Sequence, residues 1–294
     1  MIRIGIVGSD NSHGLAFAKL VNFADEKTGE FVYPDLRITA IYGHDREHTD
    51  NVAKEGGFEE VVHNAGDLIG KTDAVMVIFR HGSLHAEYAL PFIEAGMPVW
   101  VDKPFASSAA DAEKIIAAAK KKNVLLSGGS TIRFAKDVDT LGYAVAHDYD
   151  LGAVKSGYLN FPGDTESVYD GIYFYGIHIV EMMIEIFGEK VISVTTHLRG
   201  RELVCVADYE NFGVILDFAQ GVGRHFGIVH GENKTMIRDI DSSATYRLGF
   251  DDFYKMLKTK TNPRPLDCLL PPIKVVGAIE RSLKEKRTVK ISEI

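Results

Sequence analysis

The first 130 residues alternate short apolar runs with helical patterns, and this alternation leaves little choice of architecture. Residues 2–7, 36–42, 59–62, 72–79, 98–101 and 124–127 read as strands. Residues 13–23, 45–55, 84–94 and 108–122 space their apolar side chains as helices do. The run Ala74-Val75-Met76-Val77-Ile78 is almost wholly apolar, as expected of a strand covered on both faces. Strands alternating with helices of this length predict a doubly wound parallel sheet of Rossmann type.

The pattern changes after about residue 130. A helix is expected at 137–147, a strand at 154–160 and a helix at 176–187. Strands then follow at 191–198, 203–209, 212–218 and 223–230 with little helix among them, and the chain closes with helices near 253–258 and 273–284. The whole is an α/β chain: a dinucleotide-binding Rossmann domain over 1–130, then an α+β domain over 131–294 with an open, mainly antiparallel sheet. No long linker separates them, and the chain passes directly through Gly128-Gly129-Ser130.

Composition narrows the function classes. A net charge of -8 argues against a general nucleic-acid or anionic-membrane surface, and no apolar stretch approaches the length of a membrane span. The N-terminus reads as a strand entering a turn and not as a signal peptide. Cys205 and Cys268 flank no metal motif, so free thiols in a reducing cytoplasm are expected.

Two segments carry chemistry. Gly8-Ser9-Asp10-Asn11-Ser12-His13 lies where the first strand meets the first helix, a turn whose backbone amides can face a pyrophosphate. Asp10 and His13 stand where the second and third glycines of the usual GxGxxG fingerprint belong, so the match is partial, and a plain turn capped by Asp10, Asn11 or Ser12 accounts for the same residues. Asp102-Lys103-Pro104 closes the apolar run 97–101, which puts a lysine at the carboxyl edge of a buried strand, where open parallel sheets bind ligands.

In order and spacing these blocks resemble the Gfo/Idh/MocA family of NAD(P)-dependent oxidoreductases over nearly the whole chain. Ile4 to Gly8 is similar to the family's opening, Asp73-Ala74-Val75 with Ser83 to Glu87 and Glu94-Ala95-Gly96 to its next block, and Asp102-Lys103-Pro104 to its Glu-Lys-Pro motif. Arg133-Phe134 resembles the entry into the second domain, and Gly171, Gly176 and His178 resemble its catalytic helix. The resemblance implies cofactor contacts from Gly8, Ser9, Asp10, Asn11, Ser12, His13, His44, Arg46, Phe79, Arg80, His85, Asp102 and Lys103. It implies that Lys103 stabilises a developing alkoxide and that His178 is the general base, a task suited to a side chain with an ordinary pKa near 6.5.

Three departures matter. Phe174 stands one helical turn before His178, where many members carry an aspartate, and Glu181, three residues after it on the same face, is the candidate replacement. Gly43 stands where an acid would bind the cofactor ribose, and His44 and Arg46 follow it, a pattern that favours NADP over NAD and equally admits weakened cofactor binding. His81 and His85 have the i, i+4 spacing of a metal pair, yet His85 already belongs to the family block, and no metal is expected.

The expected activity is hydride transfer between NADP or NAD and a secondary alcohol or ketone of a sugar, cyclitol or related small polar molecule. The alternative is a member that keeps the fold as a ligand-binding or regulatory protein. The resemblance further implies a cytoplasmic homodimer or homotetramer, with neither nucleic acid nor membrane as partner.

Overall fold

The computed structural model describes residues 1–294. The chain divides into two compact units: 1–106, 110–129 and 249–269 form the first, and 107–109, 130–248 and 270–294 the second.

The first unit runs β1 (Ile2–Val7), α1 (Ser12–Asn22), β2 (Leu36–Tyr42), α2 (Arg46–Gly56), β3 (Glu60–Val61), β4 (Ala74–Val77), α3 (His85–Glu94), β5 (Val99–Val101), α4 (Ala109–Lys122) and β6 (Leu126–Gly128). Its six strands are parallel in the order β3-β2-β1-β4-β5-β6. The order reverses at β1, and the crevice outside the carboxyl ends of β1 and β4 is the switch point at which such sheets bind ligands. Local chemistry sets the helix starts. Asn11 caps α1 by accepting the His13 amide at 3.2 Å, and Asp45 caps α2 by accepting the His48 amide at 3.0 Å. Three lysines in the last turn of α4 face the negative end of its dipole.

The second unit begins with α5 (Lys136–His147), β7 (Val154–Asn160) and α6 (Ile172–Phe187). It continues through β8 (Ser193–Arg199), β9 (Glu202–Asp208), β10 (Gly213–Phe218), β11 (Phe226–Gly231) and β12 (Thr235–Asp239). After α7 (Thr245–Thr259) come α8 (Leu270–Glu285) and β13 (Val289–Lys290). Its sheet has the order β12-β11-β7-β10-β9-β8-β13 and is antiparallel except where β7 pairs with β10. Alternate residues such as Leu203, Cys205, Ala207, Val214, Leu216 and Phe218 turn inward. Three features escape the sequence pattern. β12 is mostly exposed and β13 is two residues long, so neither carries a clear apolar alternation. α6 starts four residues earlier than its expected bound at 176.

The division departs from the one expected at 130–131: residues 107–109 and Ser130 belong to the second unit. Residues 249–269 belong to the first unit. The reason is aromatic packing: Phe250 and Phe253 of α7 are wholly buried beside Phe17 and Trp100, with ring centroids 5.9 Å (Phe17–Phe250) and 5.7 Å (Trp100–Phe253) apart. Burying two phenylalanines stabilises the unit by about 1.5–3 kcal/mol each. Tyr33 and Tyr254 add hydroxyl bonds to Asp251 and Asp35 at 2.7 and 2.6 Å. No helix is long and apolar enough to cross a membrane.

Candidate functional site

In the first unit the β1–α1 turn and the end of β5 are joined by buried polar contacts. Gly8 has φ +113°, and a Cβ there would lie 2.7 Å from the Phe79 amide nitrogen, so only glycine lets the turn pass this close to β4. Asp10 turns sideways: its Oδ2 accepts the Arg80 amide at 3.2 Å, while its Oδ1 is buried without a hydrogen-bond partner. Ser12 opens α1 in an exposed position. His13 and Asp102, each unlike the family residue at its position, fit one another. His13 Nδ1 lies 2.6 Å from Asp102 Oδ2, and Asn11 Nδ2 donates to the same oxygen at 3.4 Å. Burial pushes the Asp102 carboxyl up, but the His13 imidazole, Lys103 and His85 together outweigh it and hold the group below its ordinary range.

Lys103 is 3% exposed. Burial, opposed by Asp102 and helped by the Arg80 guanidinium, lowers its pKa to about 8. An ammonium poised near neutrality at the carboxyl edge of β5 can donate to an oxyanion or give up a proton.

Two residues expected to contact cofactor have structural partners of their own. His85 is completely buried; its Nδ1 lies 2.7 Å from the Pro104 carbonyl oxygen and its Nε2 2.9 Å from that of Phe79. With its nitrogens against two carbonyls, the ring ties the end of β4 to the loop after β5. The Phe79 side chain is likewise buried, stacked with His44 (centroids 4.8 Å apart) and against Tyr88. His44 is exposed and its Nε2 lies 2.7 Å from the Tyr88 hydroxyl, whose pKa burial raises to about 12. Arg46 is exposed and pairs with Asp50 one turn on. Ser9 is buried, its hydroxyl 2.8 Å from that of Thr49. That pair explains Gly43: a Cβ there would fall 2.0 Å from Ser9 Oγ and 2.4 Å from Thr49 Oγ1. The place of the ribose-binding acid is filled by two hydroxyls.

In the second unit, α6 carries His178 and Glu181 on one face. The group at His178 Nδ1 is Ser130, whose Oγ lies 2.6 Å away. Glu181 is 3% exposed; its Oε1 accepts the Ser130 amide at 2.7 Å and its Oε2 accepts Arg133 at 3.1 Å. The Glu181 carboxylate holds Arg133 and the Ser130 backbone, and the Ser130 hydroxyl meets the His178 ring. Phe174 packs against Tyr169 and Tyr175 at 4.9 and 5.0 Å. Asp170 accepts Ser107 Oγ at 2.8 Å and so anchors the chain just past Lys103-Pro104 to the start of α6. Ser130 was not among the sequence candidates, and no spacing rule finds it, because 48 residues separate it from His178.

Loss of one such hydrogen bond is worth about 1–1.5 kcal/mol, so Ser130→Ala is expected to lower turnover roughly tenfold. Cofactor affinity should not change. The pH dependence of turnover should shift too, since the alanine no longer biases the imidazole tautomer; an unshifted profile at unchanged rate would leave Ser130 a purely structural residue.

A parallel sheet with its glycine turn at the switch point and a buried lysine beside that turn define a Rossmann-type unit, to which the chain adds an α+β unit with a mixed sheet. Residues 2–130 match the Gfo/Idh/MocA model, described as an oxidoreductase family with an NAD-binding Rossmann fold. That match spans the Rossmann portion of the chain, somewhat under half of its length. It is 24% identical over 230 residues to scyllo-inositol 2-dehydrogenase (NADP(+)) IolW of Bacillus subtilis, covering 74% of this chain and 60% of that protein. A match to an inositol 2-dehydrogenase of Gluconacetobacter diazotrophicus is 39% identical but covers only 25% of that protein. The fold is that of a probable dehydrogenase from Thermotoga maritima, with a TM-score of 0.82, 19% identity and 100% of both chains covered.

Proposed function

We propose that this protein is an NAD(P)-dependent dehydrogenase or reductase acting on a secondary alcohol or ketone of a polyhydroxylated ring, a cyclitol or a sugar, with NADP preferred. The observation that carries the reading is Lys103: a lysine 3% exposed, with its pKa lowered to about 8, at the carboxyl edge of a parallel strand. Burying a charge there is costly and fits a catalytic task better than a structural one. The substrate class draws on the names of the inositol dehydrogenase relatives.

The first unit suits a dinucleotide. Gly8, the backbone of Ser9, Asp10 and Asn11, and the start of α1 at Ser12 would hold the pyrophosphate, and Asp10 is accommodated by turning its carboxylate to the Arg80 amide. His44 and Arg46 are exposed at the ribose end, and no acid fits at Gly43, which favours a 2′-phosphate over a free 2′-hydroxyl. When bound, the nicotinamide supplies the hydride acceptor or donor. In the oxidation direction His178 takes the hydroxyl proton on Nε2, a role that requires the tautomer in which Nδ1–H donates to Ser130 Oγ across their 2.6 Å contact. In the first unit, the Lys103 ammonium at the carboxyl edge of β5 is suited to stabilising a developing oxyanion. Glu181 and Arg133 keep Ser130 in place.

Titration calorimetry with NAD(H) and NADP(H) tests this reading, and failure of all four to bind at millimolar concentration would remove it. Cofactor choice has a sharper check. Gly43→Asp alone is expected to destabilise the protein without conferring NAD preference, because Ser9 and Thr49 occupy the space. The triple variant Ser9→Gly/Gly43→Asp/Thr49→Ala should shift the Kd ratio toward NAD(H) by about tenfold or more, as a hydrogen bond to a charged group is worth about 1.5–3 kcal/mol. A single Gly43→Asp variant that folds normally and prefers NAD would refute the steric account.

A further inference from the structure

Phe161, the residue after β7, contacts two histidine rings of the second unit. Its centroid is 5.4 Å from that of His178 and 4.7 Å from that of His225. His225 precedes β11 on a backbone pinned at both neighbours by one side chain: Asn160 Nδ2 donates to the Arg224 carbonyl at 2.9 Å, and Asn160 Oδ1 accepts the Phe226 amide at 2.7 Å. The His225 carbonyl itself accepts the Ile240 amide at 2.8 Å. The ring held by this scaffold has its Nδ1 buried without a hydrogen-bond partner. A buried polar atom left unpaired is costly and calls for an explanation. Burial holds the His225 pKa below its ordinary range, so the ring is neutral at neutral pH, with one donor and one acceptor. Such a group matches an uncharged hydroxyl; an anionic group would call for a cation.

We propose that His225 is a substrate-binding, specificity-determining residue, whose Nδ1 hydrogen-bonds a ring hydroxyl other than the one His178 deprotonates. The proposal rests on the dehydrogenase reading above. It makes Phe161 the common wall of two polar contacts, one for the reacting carbon and one for its neighbours. Recognition of a second hydroxyl selects polyols over simple alcohols, because a substrate lacking it leaves the buried nitrogen unpaired.

The test compares wild type, His225→Phe and His225→Asn with NADP as cofactor. His225→Phe keeps an aromatic ring on Phe161 and removes both nitrogens; His225→Asn restores a polar atom near the Nδ1 position. For scyllo-inositol, kcat/KM is expected to fall about tenfold or more in the phenylalanine variant, chiefly through KM, and to recover in part with asparagine. For cyclohexanol, which has no second hydroxyl, kcat/KM should fall far less than for scyllo-inositol. Equal losses on both substrates, or no loss on either, would overturn the proposal. If neither compound is turned over, imidazole 15N shifts of the cofactor-loaded protein decide: a response of His225 Nδ1 to added scyllo-inositol supports the role, and none at saturating cofactor and millimolar inositol rejects it. Loss of NADP binding in wild type would instead sink the dehydrogenase reading itself.

Discussion

Lys103→Met is expected to lower turnover by about two to three orders of magnitude, the range seen when one preorganised donor to a developing oxyanion is removed. The Michaelis constant and cofactor affinity should change far less. The wild-type rate of alcohol oxidation should decline as pH rises through about 8, where the lysine loses its charge, and the methionine variant should lack that limb. A stability measurement gives an independent check. The folded-state pKa of Lys103 lies below its unfolded value of 10.5, so between about pH 8 and 10.5 the unfolded chain binds the extra proton and wild-type stability rises with pH. Below pH 8 the full cost of burying the ammonium is present, about 3 kcal/mol at ~1.4 kcal/mol per unit. Lys103→Met should therefore be the more stable protein at pH 7, and its advantage should shrink toward pH 10.5. Denaturant unfolding at several pH values measures this. A methionine variant that retains full turnover would exclude Lys103 from the chemistry.

Glu181→Leu is expected to cost about 3–5 kcal/mol of unfolding free energy, because it leaves Arg133 buried with no counter-charge. Arg133 has little reserve, since its Nε is already buried without a partner. Turnover should fall further than in Ser130→Ala, as both Ser130 and Arg133 lose their anchor. Glu181→Gln separates the two accounts of this residue. Glutamine keeps an acceptor for the Ser130 amide, so turnover falls while the pH profile keeps its position. A displaced profile in Glu181→Gln, with the Ser130→Ala profile unmoved, would return Glu181 to the imidazole and remove the serine.

The readable parts of the sequence were those governed by local spacing. The apolar run at 74–78 announces a strand buried on both faces, and β4 is wholly buried. The Asn11 cap, the glycine turn and the lysine closing β5 sit where strand–turn–helix logic puts them. Departures from a family pattern were also visible as letters: Gly43, Phe174, His13 and Asp102. Their meaning was not. Gly43 reads as a lost acid, whereas the structure shows Ser9 and Thr49 filling its place, a fact that depends on two side chains from different elements meeting. His85 reads as a cofactor or metal residue until its two carbonyl partners are seen.

What the sequence determined by itself was therefore the order of strands and helices, the parallel sheet and the positions of the chain where chemistry could stand. These follow from periodicity and capping, which act over a few residues. Tertiary structure alone decided the partners. Ser130 reaches His178 across 48 positions, His13 reaches Asp102 across 89, and Tyr33 meets Asp251 across 218. The same long reach moved residues 249–269 into the first unit, because Phe250 and Phe253 find their apolar surroundings at Phe17 and Trp100 and not among their sequence neighbours. A hydrogen-bond partner or a packing surface is chosen by the folded backbone, and spacing along the chain carries no record of that choice.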